Sequence, residues 1–382
     1  VTPAEFSLDA LRRWPDVEAD NLFAVDAADR LLLDEASVFL RGVDVVVIGD
    51  QYGALTLGAL ELHGARSARV HQDALSGEMA LAANARGLDA QFVNHPLDAS
   101  LVAGARVVLV RLPRSLDALD EIAAVVAGSA APEAVVFFGG MLKHMTLAMN
   151  EVIGRYFGRI DVSRARQKAR VLAARTPHPL IEERPTESDA SRNQLVSWPR
   201  RSHDTALGIT VVAHGAAFAS GRVDVGTRFL LEVLEKESLE ASDAIDLGCG
   251  TGVIAVWLAR RGLRVLATDQ SAAAVASARL TAEANGVADR VTVVRDDALS
   301  RQPDASASLI VLNPPFHIGS TVHAGIAHKL FEDAGRVLAP GGWLWAVWNS
   351  HLRYKPALQR LVGPTREVAR NPKFTVTVST KH

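Results

Sequence analysis

"DLGCGTGVIAVWLA", residues 246–259, reads as the end of a strand, a glycine turn and the start of a helix. Gly248, Gly250 and Gly252 permit a sharp backbone turn and admit a ligand to a distance at which any Cβ would collide. The helix after the turn offers free backbone N–H groups at its start. Around this stretch, "DAIDLG", "RVLATD", "RVTVVRD", "SLIVLNP" and "GGWLWAVWN" alternate with Ala-rich segments of helical period. The first half does the same with "VDVVVIGD", "SARVHQD", "AQFVNH", "ARVVLVRLP" and "AVVFFGG". Strands and helices in alternation predict an α/β protein with βαβ units around a parallel sheet in each half.

The halves correspond in order and spacing. Setting "VIGDQYGALTLGAL" (47–60) over the opening stretch aligns Gly49 with Gly248 and Gly53 with Gly252, an offset of 248 − 49 = 199. "AANARGL" then lies over "AEANGV", and "VVLVRLPRS" opposite "LIVLNPPFH". The chain therefore reads as a tandem duplication whose first copy has lost its special residues. Val47 stands in place of Asp246, Gln51 in place of Gly250, and Arg111 close to the place of Asn313. The predicted division is a degenerate domain at 1–180, a linker rich in Pro, Ser and charge at 181–207, and a ligand-binding domain at 208–382.

A length of 382 residues with 48% hydrophobic residues suits two cores. The formal charge of −2 excludes a global field for nucleic acid, so any polyanion site must be a local patch. Cys249 is the only cysteine, which excludes an intramolecular disulfide and fits a reducing compartment. The opening residues show no charged-then-apolar leader, and no apolar run reaches about 18 residues, so a cytoplasmic protein is expected. No metal-ligand spacing occurs and no metal is predicted; a monomer is favoured.

The acid before the glycines indicates the ligand. A dinucleotide would set its diphosphate over the helix start, facing Asp246 unfavourably. S-adenosylmethionine carries an ammonium and a sulfonium instead, which a carboxylate suits. Asp269 ends the next strand, 269 − 246 = 23 residues on, where a carboxylate can accept ribose hydroxyls. Asp297 or its neighbour Asp296 could take the adenine amino group, with Ala298 supplying backbone. Cys249 has no activating base beside it and reads as a small loop residue.

"SLIVL" delivers Asn313, Pro314, Pro315 and Phe316 to the same sheet edge. A conjugated amine is a poor nucleophile, and acceptors on its N–H bonds would aim its lone pair at the methyl donor. The Asn313 side-chain oxygen and the Pro314 carbonyl can be those acceptors, and Phe316 offers a face for stacking. A nucleobase, an adenine N6 and a protein glutamine amide all present such an amine. His317 is equally a base contact or a turn cap, and Trp343 and Trp345 read as core. Arg164, Arg166, Lys168 and Arg170 recur at every second residue, so on a strand all four would share one face and could hold RNA phosphates.

With "NPPFH", "DLGCGTG", "FASGRVDVGTRFLL" (218–231), "NSHLRY" (349–354) and "NPKFTV" (371–376), the chain resembles the bacterial ribosomal RNA guanine-N2 methyltransferases of small-subunit type C and large-subunit type G. "GDQYGALT" and "VRLPRSLDALDEI" bring it nearer the large-subunit type. The resemblance implies two tandem Rossmann-like class I methyltransferase domains, of which only the C-terminal one binds S-adenosylmethionine. It implies Asp246, Gly248, Gly250 and Gly252 for the methionine side, Asp269 for the ribose and Asp297 with Ala298 for the adenine. Residues 223–227 would lie over the cofactor, and Asn313 to Phe316 would hold the target guanine. The implied partner is ribosomal RNA or a ribosomal subunit, with the first domain as an RNA-positioning module. "HIGST" departs from the family pattern. The competing expectations are an adenine-N6 or glutamine-amide methyltransferase, or an RNA-binding assembly factor without catalysis.

Overall fold

The computed structural model describes residues 6–16, 18, 19, 21–178, 197–315 and 322–382. The chain separates into two compact units, Val1–Trp198 and Pro199–His382. The first contains β1 (Asp44–Ile48), β2 (Ser67–His71), β3 (Phe92–Asn94), β4 (Val107–Arg111), β5 (Val135–Met141), β6 (Phe157–Val162) and β7 (Ala169–Pro177). The second opens with a hairpin, β8 (Arg200–Asp204) and β9 (Ile209–Ala213). It continues with β10 (Asp243–Leu247), β11 (Arg264–Asp269), β12 (Val291–Arg295), β13 (Ala307–Leu312), β14 (Leu338–Asn349), β15 (Thr365–Arg370) and β16 (Phe374–Thr380).

Each unit holds a seven-stranded sheet, ordered β3-β2-β1-β4-β5-β7-β6 and β12-β11-β10-β13-β14-β16-β15. The orders coincide once nine is added to each strand number of the first. In both, five parallel strands are followed by an antiparallel pair. All ten runs read from the sequence form strands. Their near-continuous apolar character follows from burial on both faces: Leu309 and Val311 pack on the side of the helices Val225–Leu234 and Val253–Ala259. Ile310 and Leu312 pack on the opposite side, against Phe331 and Ala334. This alternation carries residue 313 to the same side as Leu309 and Val311, at the carboxyl end of the central strands.

The region expected to be a linker is partly structured. Arg200–Asp204 pairs with the buried strand Ile209–Ala213, and Asp204 is ion-paired with Arg228. A strand as polar as "RRSHD" carries no apolar alternation by which to be read. Residues 181–196 lie outside the described residues.

The glycine turn has one backbone path in both units. Gly248, Gly250 and Gly252 have φ of 70°, 52° and 79°, and Gly49, Gln51 and Gly53 have 81°, 61° and 96°. Gln51 thus holds the left-handed conformation that glycine favours at the equivalent place. A Cβ on Gly252 would lie 2.9 Å from the Ala278 Cβ, and one on Gly53 2.9 Å from a Leu81 methyl. In each unit this glycine lets the helix after the turn pack onto the next helix.

Gly252→Ala combines left-handed strain with overpacking against Ala278. It is expected to lower unfolding stability by about 2–5 kcal/mol in urea titration. An unchanged midpoint would contradict the close packing described.

Candidate cofactor and substrate site

A Cβ built on Gly248 or Gly250 meets nothing of the described residues within 4 Å, whereas Gly252 is packed against protein. The first two glycines therefore border open space at the carboxyl edge of the sheet, where a ligand approaches in such folds. Asp269 braces this turn: Oδ2 accepts from Gly250 N at 3.0 Å and Oδ1 from Ser271 N at 2.9 Å. Asp246 is fully buried, and its Oδ2 accepts from Ala255 N at 2.9 Å, inside the helix Val253–Ala259. Burial pushes its pKa up to about 7, with Asp269 adding to the rise.

Of the paired acids after β12, Asp296 is consumed by the fold. Its Oδ1 accepts from Asp297 N at 2.9 Å and Ser300 Oγ at 2.6 Å, and its Oδ2 from Arg301 N at 3.1 Å. Asp297 is ion-paired with Lys329, and Ala298 adopts a positive φ of 58°. A non-glycine residue in that conformation is strained, and such residues concentrate at ligand sites. Burial pushes the Cys249 thiol up, which leaves it inert as a nucleophile. Trp345 is buried in the core and Trp343 packs against it, as their alternation indicates.

Asn313 lies immediately beyond β13, with Pro314 buried and Pro315 exposed. Its Nδ2 donates to Asp224 Oδ2 at 3.0 Å and to Thr227 Oγ1 at 2.8 Å. Both amide protons are thereby used, and Oδ1 is buried with no partner among the described residues. Phe316 and His317 lie outside the described residues.

Among the described residues of the second unit, the other buried side-chain oxygens without partners are Asp246 Oδ1, Thr268 Oγ1 and Asn349 Oδ1. With Asn313 Oδ1 they sit at the carboxyl ends of β11, β10, β13 and β14, four neighbours in sheet order. Buried polar atoms normally find partners, so a row of orphans along one edge marks a place for a polar ligand. Its members are acceptors, and the carboxylates beside them suit a cation. A donor with an ammonium and a sulfonium fits this edge; a diphosphate does not.

Residues 208–378 match the Methyltransferase small domain and residues 3–178 the RLMG N-terminal domain. Ribosomal RNA large subunit methyltransferase G of Streptomyces coelicolor is 36% identical over 390 residues, spanning 97% of this chain and 97% of that protein. The enzyme of that name from Pseudomonas aeruginosa is 36% identical over 375 residues, with 96% of each chain covered. This chain belongs to the ribosomal RNA large subunit methyltransferase G family. Its fold is also that of the T. thermophilus 16S rRNA N2 G1207 methyltransferase, solved with AdoMet and guanosine. That structure has a TM-score of 0.74 and 22% identity, and the match covers 94% of this chain and 92% of that one.

Within this methyltransferase the first unit keeps the frame of the site and fills it with its own side chains. Helix Ala27–Leu40 corresponds to Val225–Leu234, and its N-cap Asp26 and third residue Asp29 stand where Asp224 and Thr227 do. They grip Arg111, the counterpart of Asn313: strand register pairs Val46 with Val108 and Ile245 with Ile310, so that 310 − 108 = 313 − 111 = 202. Arg111 Nη1 lies 2.7 Å from Asp26 Oδ1 and 2.6 Å from Asp29 Oδ1. Burial pushes Asp29 up to about 7 despite Arg111, whereas for Asp26 the guanidinium outweighs burial and the pKa falls. Asp50, which no motif singles out, accepts from Leu55 N at 2.7 Å and Thr56 N at 2.8 Å. Since 255 − 199 = 56, it serves the helix N–H that Asp246 serves in the second unit. Among the described residues, no orphaned atom lies at the ends of β1, β2, β4 or β5; the orphaned buried oxygen of this unit is Thr56 Oγ1, in the helix after the turn.

The basic stripe is a correction. Arg164, Arg166, Lys168 and Arg170 do not share a strand face, because the chain reverses between β6 and β7 with positive φ at Gln167 (47°) and Lys168 (63°). Arg164, Arg166 and Lys168 are exposed on the hairpin turn, while Arg170 is part-buried on β7. Arg166 is ion-paired with Asp34 at 2.8 Å.

Two variants separate packing from ligand contact. Gly250→Ala places its methyl in open space, and is expected to abolish detectable donor binding by calorimetry while costing only about 1–2 kcal/mol in stability. For Asp246 the folded pKa of about 7 lies above the unfolded value of 3.8. Between these values the folded state retains a proton the unfolded state has lost, so the contribution to stability falls as pH rises through that window. Asp246→Asn is expected to flatten this slope, to match or exceed wild-type stability above pH 7, and to weaken donor binding roughly tenfold to a hundredfold. Unchanged donor affinity would remove Asp246 from the site.

Proposed function

We propose that this chain transfers the methyl group of S-adenosylmethionine to the exocyclic N2 of a guanine in large-subunit ribosomal RNA. The observation that carries this reading is the buried Oδ1 of Asn313, without a partner among the described residues, at the edge where the glycine turn opens. Family membership supports the RNA class, and the chemistry of the edge supports the donor. S-adenosylmethionine supplies, when bound, an electrophilic methyl carbon on a sulfonium. Asp246, Gly248, Gly250 and Gly252 would line its methionine side, Asp269 its ribose, and Asp297 with Ala298 its adenine.

The protein's own part is orientation. Asn313 Oδ1 accepts one N–H of the amine and the Pro314 carbonyl the other, which turns the nitrogen lone pair towards the methyl carbon. With the donor bound, the new N–C bond would form as the S–C bonding pair passed to sulfur. The alkylated nitrogen then sheds a proton to water, and no side-chain base is needed before attack. Phe316 would stack on the base. A guanine inside folded RNA must be unstacked to reach this edge.

The first unit would hold RNA rather than donor, since Arg111 occupies the place of Asn313. The exposed Arg164, Arg166 and Lys168 on its hairpin turn are suited to phosphates, which fix register without reading sequence.

Asn313→Ala is expected to keep donor affinity and to lower turnover on unmethylated large-subunit rRNA by roughly a hundredfold or more. Mass-spectrometric mapping should find the methyl on guanine N2, and turnover retained at the wild-type rate would refute the role of Asn313. Replacing Arg164, Arg166 and Lys168 together with Ala should weaken rRNA binding and reduce its salt slope by about 2–3. An unchanged slope would dismiss the hairpin as a phosphate contact.

A further inference from the structure

We propose that Asp224, assisted by Thr227, is a positioning residue that decides which end of the Asn313 carboxamide meets the substrate, so that the site takes an N–H donor and rejects a carbonyl. The inference rests on the proposed role of Asn313 and deepens it. A carboxamide has nearly isosteric ends, one accepting and one donating. Left free, Asn313 could turn its NH2 outward and would then bind a carbonyl such as guanine O6 as readily as an amine. Asp224 removes that choice. A carboxylate only accepts, so Asp224 Oδ2 at 3.0 Å from the amide nitrogen fixes that atom as Nδ2. Thr227 Oγ1 takes the second proton at 2.8 Å, and Oδ1 is left as the outward-facing acceptor.

The clamp is itself held. Asp224 caps helix Val225–Leu234, its Oδ2 accepting from Thr227 N at 3.1 Å. A Cβ on Gly226 would lie 3.0 Å from that Oδ2 and 3.2 Å from the Phe374 ring, so glycine there leaves room for the carboxylate. One turn into the helix, Arg228 is tied to Asp204 of β8. The first unit supplies an internal comparison. There the same two helix positions, Asp26 and Asp29, grip Arg111 at the end of β4. Where the gripped group is a cation, the third helix position is an acid; where it is a neutral amide, that position is a hydroxyl. N-cap and third residue therefore act as a holder matched to the charge of the side chain at the strand's end.

The test uses the full-length protein and three variants, Asp224→Asn, Asn313→Asp and the double exchange. Asn caps a helix as well as Asp, so Asp224→Asn should leave the unfolding midpoint near that of wild type. The oxygen that takes Thr227 N also takes Asn313 Nδ2, so an amide oxygen kept at that place preserves the clamp, and kcat on in vitro transcribed large-subunit rRNA should fall only about twofold to fivefold with KM for the donor little changed. Asn313→Asp sets two carboxylates face to face and should be worse. In the double exchange, the amide introduced by Asp224→Asn donates to the carboxylate introduced by Asn313→Asp, whose other oxygen is free to accept. That variant should exceed Asn313→Asp by roughly tenfold, a coupling that a purely capping role does not produce. Thr227→Val reads the same clamp through its second acceptor, with a smaller loss of kcat. The proposal is overturned if Asp224→Ala and Thr227→Val both keep wild-type kcat, or if the double exchange is no better than Asn313→Asp. Guanosine affinity of the donor-loaded protein gives the same comparison without turnover. A wild-type protein that methylated no rRNA would thus count against the proposed substrate and leave the clamp to be judged by binding.

Discussion

The chemistry proposed for the second unit depends on where two amide protons go. Asn313 spends both on Asp224 and Thr227, and its oxygen is left buried beside the glycine turn with no partner among the described residues. An unpartnered buried acceptor costs about 1–3 kcal/mol, and a fold keeps such a cost where a ligand removes it. The sheet brings the acceptor to its place, the helix Val225–Leu234 fixes its orientation, and the turn at Gly248 and Gly250 borders the open space in which the donor is proposed to lie.

The two units show how one backbone can be open for a ligand or closed upon itself. Their sheets share one strand order and their turns one sequence of left-handed residues. The difference lies in a few side chains. Asp50 sits within the turn where Cys249 does in the other unit, and Arg111 bridges two acids where Asn313 leaves an oxygen free. Breaking a buried ion pair costs about 3–5 kcal/mol, so the filled site of the first unit is a structural element and no longer a vacancy. Internal contacts stand in the first unit where the second leaves atoms free to meet a ligand.

Much of this was legible in the sequence. Strands buried on both faces announce themselves as β-branched runs, and glycines at 248, 250 and 252 mark the turn because only they reach its φ values without strain. The two prolines behind an apolar run draw attention to Asn313, and the strand Ala307–Leu312 does deliver it to the carboxyl edge of the sheet. The features that escaped involve distance or reversal. Asp224 meets Asn313 across 89 residues, which no local pattern reports. Asp50 does the work of Asp246 from three residues further along the turn, so matching by position missed it. The alternation of Arg164 to Arg170 resembles a strand, yet the chain turns at Gln167 and Lys168 without the glycine, proline or asparagine that usually signals it. The β8 strand is too polar to stand out.

The most direct measurement is a crystal structure of the protein with S-adenosylhomocysteine and guanosine. Asn313 Oδ1 is expected within about 2.7–3.2 Å of the guanine N2, with the thioether sulfur over the turn at Gly248 to Gly252 and the amide nitrogen still on Asp224. A nucleoside held elsewhere, or an Asn313 oxygen directed away from the amine, would contradict the assignment of this edge as the place of methyl transfer.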